Sequence, residues 1–204
     1  VFFRGEIGQM RQPDVVNDTF QDRQLLVYLP DGYGDSGQRY PVVYLQDSGD
    51  LIERNDSDVL MRVRDLATQG ELPGFIFVGV ESFDRHDEYT PFVYTALTYS
   101  EVFGRIGSFS GSFWFSGMIE WLEQRKIGGT GQRLYMNLGH AEGATRTNGQ
   151  QWMVPNSKKV YDYLLQNGFT ESTARQEIYE SEFHSLELGV QYVLDALKWL
   201  YWSE

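Results

Sequence analysis

Serines set among small residues, three histidines and a scatter of carboxylates are the groups in this 204-residue chain whose types could do chemistry. A serine becomes a nucleophile when a base takes its proton and a sharp turn, G-x-S-x-G, lifts Oγ clear of the strand. No G-x-S-x-G occurs here. The nearest imitation is Gly107-Ser108-Phe109-Ser110-Gly111, with Phe in the third place. Ser110 has Ser108 and Ser112 two residues to either side, and side chains that small permit a tight turn. The chain has no cysteine, which removes thiolate chemistry and disulfides and leaves the redox compartment open. His86, in Arg85-His86-Asp87-Glu88, has no His or Cys at a ligand spacing, so no metal is expected. Gly128-Gly129-Thr130-Gly131 lacks the following Lys of a phosphate cradle and reads as a connection.

The elements that must position these groups alternate along the chain. Arg23–Leu29 is a β-rich run closed by the turn residues Pro30-Asp31-Gly32-Tyr33-Gly34. Val42–Leu45 is a continuous apolar run suited to a strand covered on both faces, and Gln46–Asp50 is a small-residue loop after it. Ser57 or Asp58 caps a helix through Leu60, Val63 and Leu66 that Gly70 ends, and Phe75–Val80 is the next buried strand. Phe103–Phe109 reads as a strand, Phe113–Gln124 as a helix, Arg133–Leu138 as a strand, and Gly139–Val154 as a long loop. Lys158–Gln166 is amphipathic and stops at Gly168, Glu177–Tyr179 is a short strand, and Leu186–Trp202 is the closing helix. This order belongs to an α/β fold with a mostly parallel, doubly wound sheet flanked by helices. With no repeat, linker or low-complexity tract, residues 1–204 read as a single domain.

The bulk numbers narrow the function. A net charge of −12, spread over loops and helix faces, is the reverse of what phosphate binding needs, so no nucleic-acid partner is expected. No apolar run approaches the roughly 18 residues of a membrane span, so no membrane partner is expected either. The chain opens Val1-Phe2-Phe3-Arg4 without Met, which reads as trimming of a soluble protein, cytoplasmic or exported.

Seven segments, in order, resemble the esterase branch of the α/β-hydrolase superfamily, which includes enterochelin esterases, IroE-like esterases, esterase D and feruloyl esterases. They are VYLPDGY (27–33), YPVVYLQDSGD (40–50), FIFVGVES (75–82), EYTP (88–91), ALTYSEVFGRIGSFSGSFW (96–114), LYMNLGHAEG (134–143) and FHSLELGVQYVLDALKWLY (183–201). The resemblance implies a serine hydrolase with a triad in the chain order serine, acid, histidine and no metal or organic cofactor. It points to Glu142 in LGHAEG as the acid and to His184, before the closing helix, as the base; His140 stays outside the mechanism. It places the oxyanion donors at the backbone of Ser48 and Gly49, and a substrate pocket at Asp47, Phe113 and Trp114. Two departures stand out. The family's Asp-Gly is Asp47-Ser48-Gly49 here, and its Gly two residues before the histidine is Glu182.

The nucleophile is the third departure. TYSEVFGRIGSFSGSFW matches the family segment after the nucleophile helix, which makes Ser110 the end of the following strand and a fallback nucleophile only. By resemblance, a βα unit of about 40 residues with the serine turn belongs between Phe92 and Tyr94. Deleting it removes a middle strand, and each buried backbone group left unpaired costs about 1–3 kcal/mol. Residues missing from the chain, with a break near 90–94, are therefore expected over a fold without that strand. The leading function is hydrolysis of a small-molecule carboxylic ester through an acyl-serine. The alternatives are a non-catalytic binding protein of the same fold and an acyltransferase.

Overall fold

Runs rich in β-branched and aromatic residues form the strands of the computed structural model, and Gly, Pro and Asp punctuate them. The structure describes residues 4–10, 23–46, 59–80, 91–115, 117–124, 131–180 and 186–201. Contacts divide the chain into Val1–Phe83 with Ser203 and Asp84–Trp202 with Glu204.

The first unit holds β1 (Arg4–Met10), β2 (Arg23–Tyr28), α1 (Tyr33–Ser36), β3 (Val42–Gln46), α2 (Val59–Thr68) and β4 (Ile76–Val80). Its sheet runs β1-β2-β4-β3, with β2 antiparallel to both neighbours and β3 parallel to β4. Burial alternates into β4: Phe75 and Phe77 are buried while Ile76 and Val78 are half-buried, the period of a pleated strand. On α2, Val59 and Val63 lie one turn apart and are both buried. The helix ends as its glycine demands. Gly70 takes φ 77°, its N–H donates to Ala67 O at 3.1 Å, and the Glu71 N–H donates to Leu66 O at 2.9 Å, which is a Schellman closure.

The second unit holds α3 (Pro91–Thr98), β5 (Arg105–Phe109), α4 (Met118–Glu123), β6 (Arg133–Gly139), α5 (Met153–Gln166), β7 (Ala174–Tyr179) and α6 (Leu186–Tyr201). Its sheet is β5-β6-β7, parallel throughout. One face carries the main core: Val93, Ala96 and Leu97 of α3, Ile106 of β5, Leu134 and Met136 of β6, and Val160 and Leu164 of α5. On β6 the alternate residue, Tyr135, packs instead with Ala196 and Leu200 of α6. The two clusters cover the central strand from both sides, as short continuous apolar runs in parallel sheets require. Gln132 is buried because its amide donates to Ala96 O at 2.8 Å and to Phe103 O at 2.6 Å, tying the end of α3 to the start of β6.

Among the described residues the strands form a mixed four-stranded sheet and a parallel three-stranded one. Helix α3 runs from Pro91 to Thr98 and buries Val93. One finding differs in detail from the sequence reading. Helix α4 starts at Met118 rather than Phe113, because Gly117 at its N-cap sits at φ 84°, outside the helical region.

Candidate active site

In a parallel sheet, loops leaving the carboxyl ends of neighbouring strands share one edge, and ligands bind there. Ser110 follows β5, and the turn from Gly139 to Glu142 follows β6, so adjacent strands deliver both to that edge. Ser110 stands at φ 49°, the one non-glycine residue with a positive φ among the described residues. Such a backbone is strained for a side-chain-bearing residue, and strain of this kind collects at functional turns. The Ser110 N–H continues the ladder by donating to Asn137 O at 2.8 Å. Its hydroxyl donates to Glu142 Oε1 at 2.9 Å.

The Glu142 carboxylate is fixed a second time. The Gly139 N–H donates to the same Oε1 at 2.7 Å, while the Glu142 N–H donates back to Gly139 O at 3.2 Å. Charge-assisted bonds of this kind are the stronger class, and here they hold the carboxylate in one place beside Ser110. Gly143 lets the loop close behind it. At φ 77°, a Cβ there would stand 1.9 Å from Gln150 O, so any side chain would force the turn open. Gly111 is packed as tightly, with a would-be Cβ 2.6 Å from Ser108 Oγ.

Of the residues the sequence singled out, Ser110 and Glu142 are brought together. His140 is exposed, and its N–H donates to Tyr179 O at 2.8 Å. Phe113 is 3% exposed and belongs to the core, where the Asn156 amide donates to its carbonyl at 3.0 Å. Trp114 is half-buried and lies against Gly149, where a Cβ would stand 2.9 Å from its ring. His184, Asp47, Ser48, Gly49, Glu182 and His86 lie outside the described residues. Among the described residues no group of three or more His, Asp or Glu is placed to hold a metal, and no helix is long and apolar enough to cross a membrane.

The sequence reading missed Asn137. It is 3% exposed at the carboxyl end of β6, and its Nδ2 donates to no described partner. A buried amide left so costs about 1–3 kcal/mol, which is the kind of deficit a ligand repairs. Its neighbours on β7 are fully engaged. Tyr135 OH donates to Glu177 Oε2 at 2.6 Å, Tyr179 OH donates to the same oxygen, and Arg175 pairs with Oε1. Burial works to raise the Glu177 pKa, but the two hydroxyls and the Arg175 guanidinium outweigh it and hold the carboxyl below its ordinary value. Burial and the Glu177 hydrogen bond push Tyr179 up to about 12.

Comparison with known proteins bears on this geometry. Residues 17–93 match the family model "Putative esterase". The uncharacterized protein YbbA of Bacillus subtilis is 24% identical over 236 residues, which cover 88% of this chain and 93% of YbbA. Since 88% of 204 residues is about 180, about 56 of those 236 aligned positions hold no residue of this chain. The enterobactin esterase of Shigella flexneri superposes with a TM-score of 0.67 at 16% identity, over 87% of this chain and 55% of its own, so the chain spans about half of that protein. The feruloyl esterase module of Clostridium thermocellum, complexed with sinapinate, gives a TM-score of 0.64 at 14% identity over 98% of this chain and 87% of the module. An IroE-like serine hydrolase from Shewanella oneidensis gives 0.63 at 18% identity, over 88% and 75%. The fold is thus the α/β-hydrolase fold of these structures, and the match to the esterase family model covers residues 17–93.

Proposed function

We propose that the protein hydrolyses small-molecule carboxylic esters at the carboxyl ends of β5 and β6, with Ser110, Glu142 and His184 as its working groups. The observation that carries this reading is the left-handed backbone of Ser110 at the carboxyl end of β5, on the same edge as the carboxylate that the Gly139 N–H holds. In the reaction, Ser110 Oγ attacks the ester carbonyl carbon and its proton passes to His184. Glu142 holds the imidazole in the right tautomer and stabilises its charged form. His184 then protonates the departing alcohol, water cleaves the acyl-serine, and the carboxylic acid leaves. The reading takes Ser110 because it stands beside a carboxylate at the carboxyl edge of the parallel strands. Neighbours of the same fold crystallised with sinapinate or enterobactin support a small ester as the substrate class.

Two observations favour a second reading. The Ser110 hydroxyl donates its hydrogen bond directly to a carboxylate, and α4 begins only at Met118, whereas a nucleophile elbow turns from its strand straight into a helix. In that reading Ser110 clamps Glu142, and the protein binds its ligand without turning it over. YbbA, with about 56 aligned positions that this chain lacks, then has room for a strand and serine turn that this chain does not carry. Treating the folded chain with a fluorophosphonate and weighing it intact separates the two. An adduct that maps to Ser110 and disappears in Ser110→Ala supports the hydrolase. Folded protein with no adduct hands the site to ligand binding. Including a competing alcohol in the ester assay distinguishes acyl transfer from hydrolysis.

A further inference from the structure

Asparagine is followed by glycine twice in this chain, at Asn148-Gly149 and Asn167-Gly168. Such a pair loses ammonia unaided, because glycine carries no side chain to keep its nitrogen from the neighbouring side-chain carbonyl. The structure makes the two pairs unequal. Asn148 is exposed in the loop after Glu142 and precedes a short 3-10 turn, Gly149–Trp152, that leads into α5. Its ψ of −168° sets Cβ gauche to the Gly149 nitrogen, whereas ψ 32° at Asn167 sets Cβ almost opposite the Gly168 nitrogen, out of reach. The Asn148 Oδ1 accepts from the Gln150 N–H at 3.1 Å, which draws electrons from Cγ and makes it the better electrophile. The Gly149 N–H, the nucleophile required, opens the turn and donates to no described residue. Asn167 is half-buried and locked at the end of α5. Its Nδ2 donates to Tyr163 O at 2.9 Å, and its N–H donates to Leu164 O at 3.1 Å.

We propose that Asn148 is a site of spontaneous deamidation, and that the isoaspartate it yields loosens the turn that carries Glu142. The Gly149 nitrogen gives its proton to water and attacks Asn148 Cγ. The N–Cγ bond forms, the Cγ–Nδ2 bond breaks, and Nδ2 takes a proton from solvent and leaves as ammonia. Water then opens the cyclic imide at either carbonyl, to aspartate or to isoaspartate, and nothing is oxidised or reduced. Aspartate keeps the path of the main chain. Isoaspartate does not, because the main chain then runs through Cβ and the two carbonyls of Asn148 exchange roles. Both carbonyls are in use: Oδ1 receives the Gln150 N–H, and the backbone oxygen receives the Gln151 N–H at 3.1 Å. The surroundings leave no slack. A Cβ on Gly149 would stand 2.9 Å from the Trp114 ring, and one on Gly143, the residue after Glu142, would stand 1.9 Å from Gln150 O. A longer main chain at Asn148 therefore drives Gln150 O against the Glu142 turn.

The test is to age the full chain at mildly alkaline pH and map its peptides by a method that separates aspartate from isoaspartate. In the folded chain Asn148 is expected to convert at least about tenfold faster than Asn167, whose bonded cap must open first. In urea the two are expected to convert within about threefold of each other, because the fold no longer distinguishes them. The Gly139 amide, bonded to Glu142 Oε1, reports on the turn, and its hydrogen exchange, read by NMR, is expected to be at least about fivefold faster in the isoaspartyl form. Asn148→Asp carries the same charge without the added methylene in the main chain and is expected to leave that exchange unchanged. Asn148→Ser keeps a capping oxygen and is expected to abolish the conversion at this position. Equal or slower conversion of Asn148 in the folded chain, or the same preference in urea, overturns the assignment of the site to the fold. Unchanged Gly139 exchange in the isoaspartyl form, or equally fast exchange in Asn148→Asp, overturns the link to Glu142. Ester turnover and the fluorophosphonate adduct have no part in this outcome.

Discussion

Strands β3 and β6 read alike in the sequence, and the structure treats them in opposite ways. VVYL in β3 and LYMNL in β6 are both continuous apolar runs of the kind that parallel sheets bury on two faces. On β6, Leu134, Tyr135, Met136 and Leu138 are 0–2% exposed, because β5 and β7 flank it and helices cover both faces. On β3, Val42 is 40% and Tyr44 49% exposed, and among the described residues the strand pairs with β4 alone. Apolar composition states what a strand needs; neighbours decide whether it is met. An outer strand with exposed apolar side chains is a hazard that folds ordinarily cover. Among the described residues the contrast sets β3, with its exposed apolar side chains, against β5-β6-β7, the finished sheet that holds the candidate chemistry.

That contrast can be broken most decisively through catalysis. If the finished sheet carries the reaction, His184→Ala and Glu142→Gln reduce ester turnover by about 10³-fold or more with the fold retained, whereas Tyr44→Ser on β3 leaves the rate constant. A steady-state assay with circular dichroism as the control decides it, and unchanged turnover in His184→Ala removes that residue from the mechanism. Stability separates the strands next. Leu134→Ala is expected to lower the unfolding free energy by about 2–5 kcal/mol, and Tyr44→Ser to stay within about 0.5 kcal/mol of the parent, as read from urea midpoints. Equal costs would mean that β3 is as well buried as β6.

Smaller effects sharpen the picture of the finished half. Tyr135→Phe removes one of two hydroxyls from Glu177 and is expected to cost about 1 kcal/mol. The pH dependence has a definite sign. Glu177 has a folded pKa below its ordinary 4.5, so its contribution is present above that value and fades as the pH falls through the folded pKa. Tyr179 works in the opposite direction. Raised from 10.0 to about 12, it contributes fully below pH 10, and that contribution is lost as the pH climbs from about 10 to about 12. Unfolding curves across both windows for the parent and Glu177→Gln test this, with the acid-side slope expected to flatten in the variant.

Most strands and helices could be located from the chain itself, and the misses have local causes. Arg4–Met10 contains Gly5, Gly8 and two charges, and only its pairing with β2 makes it a strand. Helix α5 starts at Met153, inside the run read as a loop, and Pro155 is tolerated in its first turn, where the backbone N–H has no partner. The candidate site was half legible. Ser110 and Glu142 stood out separately, and their meeting followed once β5 and β6 were known to be parallel neighbours. Asn137 gave no signal, because an amide within an apolar run does not reveal whether folding will supply it a partner.

Composition and pattern determined by themselves the alternation of strands and helices, the stops of α2 and α5 ahead of their glycines and the residue types on offer for catalysis, because these depend on neighbours a few positions away. Register, the left-handed backbone of Ser110, the two donors on Glu142 and the different fates of β3 and β6 were decided only in three dimensions. Each of these depends on groups distant in the chain filling the same space, and no short stretch of sequence contains both partners.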